Sequence, residues 1–262
     1  PNNPPWNSLI AVFGVWVPSV LLILFVPVAF LVPYLIARGV DLADNAGLAE
    51  FAKSDPSAIL VQIGSILPAH LLTLLVSWLV ITNFRKNPFL ETLGWKSGGM
   101  RWWHYLAILA VFFGFAIILG SLMPDQENEM LRILKSSRFA VFVVAFLAVF
   151  TAPLVEEVVY RGVLYSAFQR TVGTTGAVII VTALFAIVHV PQYYPSVSTI
   201  ILLTLLSLIL TMVRVRTNNL LPCIILHTIF NAFQSLLLVA EPYFEHLKPA
   251  TEQQGVVINV LF

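Results

Sequence analysis

Charge is what this sequence has least of. Only 10% of its 262 residues are Asp, Glu, Lys or Arg, where a soluble globular domain carries about a quarter. That shortage excludes an ordinary water-soluble domain, and a net charge of +1 argues against the basic face that a nucleic-acid partner requires. Cysteine is nearly absent too. The single Cys223 rules out an intramolecular disulfide and a cysteine-based metal cluster. Its setting, Leu-Pro-Cys-Ile, is apolar, so it reads as packing rather than as a reactive thiol. The first residues, Pro-Asn-Asn-Pro-Pro-Trp, lack the basic stretch of a secretory signal, and the apolar run behind them is too long for one. That run is expected to stay in place as a first span.

What the chain has instead is hydrophobic length. Apolar residues make up 59% of it, and the mean hydropathy is +0.91. A spanning helix needs about 20 mostly apolar residues, because the hydrocarbon core is about 30 Å thick. Segments free of Asp, Glu, Lys and Arg cover 9–37, 57–84, 102–124, 139–155, 171–213 and 217–240. The fifth is too long for one span, and Pro191 and Pro195 are expected to break it. Seven spans follow, with an eighth if the proline-studded first segment folds as two pieces. No strand-like alternation, repeat or low-complexity linker interrupts the pattern. The expected fold is therefore all-α, a polytopic transmembrane bundle of about seven to eight helices forming one integral membrane domain over 1–262, because lipid forces backbone groups to pair within the chain. The basic loop with Arg85, Lys86, Lys96 and Arg101 is expected to be cytoplasmic. The loop 38–55 is acidic on balance and belongs opposite, which places the N-terminus in the cytoplasm. Arg132, Lys135 and Arg138 run against this threading.

In such a chain the informative residues are ionisable groups inside apolar segments, because each is costly unless paired or facing a cavity. They gather in the second half. In Glu156-Glu157-Val-Val-Tyr-Arg161, Glu157 and Arg161 lie four apart with the acid first, the favourable order on a helix. Glu156 points about 100° away. The simplest division pairs Glu157 with Arg161 and leaves Glu156 free for acid–base chemistry. Pro153 removes a helix hydrogen bond just upstream. Taken alone, the trio serves equally well as an interfacial group at a helix end. Phe185 and His189 share one helical face, and so do His227 and Asn231. Either pair alone reads more readily as a helix–helix hydrogen bond. Three polar faces on three apolar helices make coincidence a poor account. His70 has no polar partner at helical spacing and reads as structural or pore-lining, while His104 and His246 fall at expected interfaces.

Peptide hydrolysis needs an activated water and donors for the oxyanion. Glu156 with His189 suits the first task, and His227 with Asn231 the second. The chain lacks a His-Glu-x-x-His zinc helix, a Gly-x-Ser-x-Gly elbow and a Gly-x-Gly-Asp motif. The three motifs Glu-Glu-x-x-x-Arg, Phe-x-x-x-His and His-x-x-x-Asn, in this order on successive apolar segments, resemble the CAAX prenyl endoprotease and bacteriocin-processing (abortive-infection) membrane protein family. The resemblance covers about 139–240, the expected catalytic core. It implies a conical cavity open to lipid and cytosol, and an intramembrane endopeptidase that cleaves near the C-terminus of a peptide or prenylated protein. In that reading Glu156 and His189 activate water, His227 and Asn231 form the oxyanion hole, and Glu157, Arg161 and Phe185 support them. The resemblance favours a metal-free glutamate-type mechanism with no cofactor; Glu156, His189 and His227 form the set zinc would use instead. A non-catalytic immunity factor, scaffold or proton-linked transporter is the competing class, with the same residues as a relay or helix glue. Short loops and the lack of any Asn-x-Ser/Thr sequon lean toward a prokaryotic cell membrane.

Overall fold

The protein's computed structural model describes residues 4–123 and 126–245. His246 and the tail after it, whose role the sequence left open, lie outside the described residues. Among the described residues all regular structure is helical. The helices are α1 (Ile10–Ala37), α2 (Asn45–Ser54), α3 (Pro56–Ile81), α4 (Phe89–Leu93), α5 (Trp102–Leu122) and α6 (Glu129–Ser136). A continuous stretch Arg138–Tyr193 follows, then α9 (Val197–Thr217) and α10 (Leu221–Glu245).

Six helices are long and apolar enough to cross a membrane by length and composition. The fourth of them, Arg138–Tyr193, has 56 residues and turns back at Gly173, where φ is 73° and ψ is 174°. That backbone region is essentially reserved for glycine, since a Cβ would clash with the chain. The turn yields α7 (138–172) and α8 (174–193), so the passes number seven. Both ends of the pair sit on one face of the bundle: Arg138 Nη2 donates to Val239 O at 3.1 Å, and the Gln192 amide meets Met130 Sδ at 4.0 Å. The bend itself sits on the other face, where Ser8 bonds Thr171 and Arg170 donates to Pro4 O.

Three boundaries are settled by the structure. The first segment is one continuous helix with Pro27 and Pro33 inside it, which leaves the count at seven without the conditional eighth. The break between α8 and α9 falls at Tyr194–Ser196, and Pro191 stays within α8. Most consequentially, α7 does not end where its charges begin. It continues unbroken through Glu156, Glu157 and Arg161, which places them inside the bundle and not at an interface. Arg214, just past the expected end of another apolar segment, is also fully buried.

The contacts sort the loops into two faces. The 85–101 loop meets the α9–α10 corner, where Leu220 N donates to Gly94 O at 2.8 Å. This face also holds the N-terminal residues and the Gly173 bend. The opposite face carries α2 and α6, joined where Arg132 donates to Lys53 O. Arg132 and Lys135 pair there with Glu129 and Glu127, and with Arg138 they still run against the charge bias. Burial grades the helices by position. Only 11% of the most apolar window of α1 is buried, against 44% for α9. So α1 faces lipid while α9 runs through the interior.

Candidate active site

Two stretches of α7, Leu147–Thr151 and Val158–Leu164, are wound as π-helix around the Glu-Glu pair. Pro153 ties the first stretch to the chemistry. It has no N–H to give, and its acceptor in a π-turn, five residues back, would be Ala148 O. That carbonyl instead accepts from Asn231 Nδ2 at 2.8 Å. A proline in α7 thereby provides the anchor for an asparagine on α10.

The second stretch seats a buried ion pair. Glu157 and Arg161 are both fully buried, with Arg161 Nη1 2.9 Å from Glu157 Oε1. The other guanidinium N–H groups go to α9: Nη2 reaches Ser207 O at 2.8 Å and Ser207 Oγ at 2.7 Å, and Nε reaches Thr211 Oγ1 at 3.2 Å. Its cation also lies 4.9 Å from the centre of the Phe185 ring. A charge in an apolar interior persists only when paired and fully hydrogen-bonded, and here the arginine is. Arg214 adds to the same knot through Nε, 3.1 Å from Arg161 O.

His227 joins this pair. Its Nδ1 is 2.8 Å from the same Glu157 Oε1, an acceptor only, so Nδ1 carries the hydrogen. The other ring nitrogen, Nε2, points to Glu156, 3.9 Å from Oε2. His189 is oriented likewise: Nδ1 donates to Phe185 O at 2.7 Å. Phe185 lies between the two histidines, with ring centres 4.5 Å from His189 and 6.4 Å from His227, and Tyr160 meets it edge-on at 5.1 Å.

Glu156 differs from its neighbour in every respect. No protein hydrogen bond to it occurs among the described residues, and its side chain is 23% exposed. It opens into a cavity of about 690 Å³ that His189, His227 and Asn231 also line. The walls are otherwise largely apolar, with Ile23, Leu24 and Pro27 from α1 and Ile63 and Ile66 from α3. All seven residues singled out in the sequence thus meet in one place. His70, read from the sequence as structural or pore-lining, meets them there with a partner the sequence did not reveal. It lines the cavity, and its ring is held by Thr151 at 2.8 Å. Helical spacing could not reveal a partner 81 residues away. Ser207, Thr211 and Arg214 also escaped notice, because hydroxyls on an apolar helix and an arginine at a segment's end look ordinary. His104 turns out to accept from Arg101 N at the start of α5, and Cys223 is fully buried with its thiol directed at Leu210 O.

Among the described residues no three His, Cys, Asp or Glu side chains converge closely enough to hold a metal ion. The set named for zinc does not fit as a site, and no step is derived through a metal.

An oriented pair of imidazoles and a carboxylate that no described residue hydrogen-bonds, facing an apolar cavity in a helical bundle, define a class: an integral, multi-pass membrane protein with a polar site inside the bundle. Comparison with known families then narrows it. Residues 138–233 match the family described as Rce1-like, type II CAAX prenyl endopeptidase, the family that the three motifs resemble, and the match encloses all three. It supports a hydrolase, a CAAX-type intramembrane protease. No curated protein and no solved structure matches the chain.

Proposed function

We propose that the protein is a metal-free intramembrane endopeptidase that cleaves near the C-terminus of a membrane-associated, prenylated peptide. The observation that carries this reading is the contrast within the Glu-Glu pair: Glu157 is buried and bonded through Oε1 to both Arg161 and His227, while Glu156 faces the cavity with no hydrogen bond among the described residues, His227 Nε2 standing 3.9 Å away. A carboxylate so placed is free to take a proton from water.

The reaction balances with these groups alone. Water held between Glu156 and His189 gives a proton to Glu156, and its oxygen bonds to the scissile carbonyl carbon. The oxyanion that forms takes hydrogen bonds from the second amide N–H of Asn231 and from His227. Because His227 Nδ1 is committed to Glu157, it donates from Nε2 only as imidazolium, so that Arg161 and His227 together face the two carboxylates Glu157 and Glu156. The C–N bond then breaks, and the proton on Glu156 passes to the departing amine. The apolar walls suit a lipid chain, since each buried CH₂ contributes about 0.8 kcal/mol.

The test is Glu156→Gln, which keeps shape and hydrogen bonding and removes the base. The purified protein in liposomes is given a prenylated peptide and its products are read by mass spectrometry. Loss of a general base is expected to cost about 10²–10⁴-fold in rate. A variant that releases the same products at the wild-type rate defeats the proposal. Undiminished cleavage in strong chelator is the expected result for the metal-free mechanism.

A further inference from the structure

His70 stands on α3, is 6% exposed and faces the cavity into which Glu156 opens. Its ring is fixed by a chain of two contacts. The Thr151 hydroxyl has one hydrogen and lies 3.1 Å from Leu147 O, an acceptor only. Both this contact and the 2.8 Å contact to His70 are satisfied together only when the ring Nδ1 donates to Thr151 Oγ1. Neutral His70 therefore presents a lone pair at Nε2, and no hydrogen bond engages that atom among the described residues.

The position is as informative as the tautomer. Thr151 lies five residues before Glu156, and this part of α7 packs against both α3 and α10. Glu156 is thus flanked by His70 from α3 and by His227 and Asn231 from α10. The other polar side chains of the α1–α3 wall are occupied or shut away. Ser19 donates to Val15 O at 2.7 Å, the Gln62 amide to Ala52 O at 2.8 Å and Ala58 O at 3.2 Å, and the Thr73 hydroxyl is sealed from the cavity. Two acceptors are left on that wall among the described residues, Gln62 Oε1 at the end tied to α2 and His70 Nε2, the one held by the helix that carries Glu156.

A peptide bound in an apolar cavity needs partners for its main-chain groups, since each unsatisfied one is costly there. In a trans peptide the C=O and N–H point in opposite directions. A substrate whose scissile carbonyl oxygen turns to the donors on α10 therefore turns its scissile N–H away from α10, and His70 on α3 offers an unengaged acceptor on the cavity wall. We infer that His70 is a substrate-binding residue of this site, its Nε2 accepting the scissile N–H and fixing the peptide plane across Glu156. The inference rests on the hydrolytic reading above.

An ester analogue separates this contact from a structural role, because replacing the scissile N–H by oxygen leaves nothing for His70 to accept. Full-length wild type and His70→Leu are compared in liposomes on matched amide and ester peptides, with Glu156→Gln as reference. His70→Leu is expected to lower kcat/KM on the amide about tenfold, the effect of one lost hydrogen bond to a buried partner, and to leave the ester unchanged. Thr151→Val, which keeps the imidazole but releases its ring, is expected to show the same selective loss and serves if the leucine variant does not fold. Equal losses on both substrates, or none on either, overturn the assignment while Glu156→Gln remains inactive. Wild-type cleavage of both by Glu156→Gln overturns the hydrolytic reading itself.

Discussion

His227 is bonded to Glu157 and only faces Glu156: its Nδ1 lies 2.8 Å from Glu157 Oε1, while its Nε2 stands 3.9 Å from Glu156 Oε2. A carboxylate that holds a histidine by Nδ1 sets its tautomer and aims its other nitrogen. Glu157 therefore acts on the site through His227 as well as through Arg161, and Glu156 keeps its freedom because its neighbour absorbs both partners.

This division predicts opposite signatures for two isosteric changes. Glu156→Gln is expected to abolish cleavage and leave thermal unfolding in detergent nearly unchanged, since no protein hydrogen bond is lost. Glu157→Gln leaves Arg161 charged and fully buried without its counter-ion. Breaking one side of a buried pair costs about 3–5 kcal/mol, so both stability and activity are expected to fall. Equal melting temperatures for the two variants would contradict the division.

Pro153 gives a second test, with stability and activity moving in opposite directions. Pro153→Ala restores an N–H that competes with Asn231 for Ala148 O. Filling a missing helix hydrogen bond stabilises, because proline inside a helix costs about 3 kcal/mol. Asn231 loses its anchor at the same time. The expected outcome is a raised melting temperature with lowered kcat, and a variant that melts higher and cleaves at full rate would disconnect Pro153 from the site.

Much of the architecture was legible because lipid allows so few solutions. Apolar runs bounded by charges located the spans, and the three polar faces pointed to the residues that meet at the cavity. The reach of α7 stayed open in the sequence because Glu156, Glu157 and Arg161, taken alone, serve equally well as a span's end. They sit within the bundle since Glu157 and Arg161 neutralise each other and Glu156 faces a cavity. The π-wound segments were invisible because no local pattern encodes them; they follow from Pro153 together with contacts to α3 and α10. His70 was set aside for the same reason, its partner being on another helix. Gly173 sat in Thr-Val-Gly-Thr-Thr-Gly, where nothing distinguished the residue that turns the chain from Gly176 three positions on.

Gly173 accordingly yields a prediction about folding rather than chemistry. At φ 73° and ψ 174°, alanine adopts a conformation costing about 1–3 kcal/mol, although no neighbour obstructs its Cβ. Gly173→Ala is expected to lower the unfolding free energy by that amount while each folded molecule cleaves at the wild-type rate. Unchanged stability would mean that the α7–α8 turn has another conformation.

The last prediction concerns the side of the membrane from which substrate arrives. The face that holds the N-terminal residues, the Gly173 bend and the 85–101 loop carries Arg85, Lys86, Lys96, Arg101 and Arg170. The opposite face carries Asp41, Asp44, Glu50 and Asp55 together with Arg38, Lys53, Arg132, Lys135 and Arg138, of which Arg132 and Lys135 are paired with glutamates. The 85–101 loop is the most basic short loop, and short basic loops stay in the cytoplasm, so the α2–α6 face is expected to be external. The cavity lies in that external half: Gln62, Glu129, Met130, Gln192, Tyr193 and Ser235 line it, and no residue of the basic face does. This departs from the cytosol-facing cavity that the family resemblance implies. Cysteine at Glu50 is expected to react with an impermeant maleimide on intact cells, and cysteine at Lys96 only after permeabilisation, with buried Cys223 silent in both. The reverse labelling pattern would place the cavity on the cytoplasmic side and set the resemblance above the charge bias.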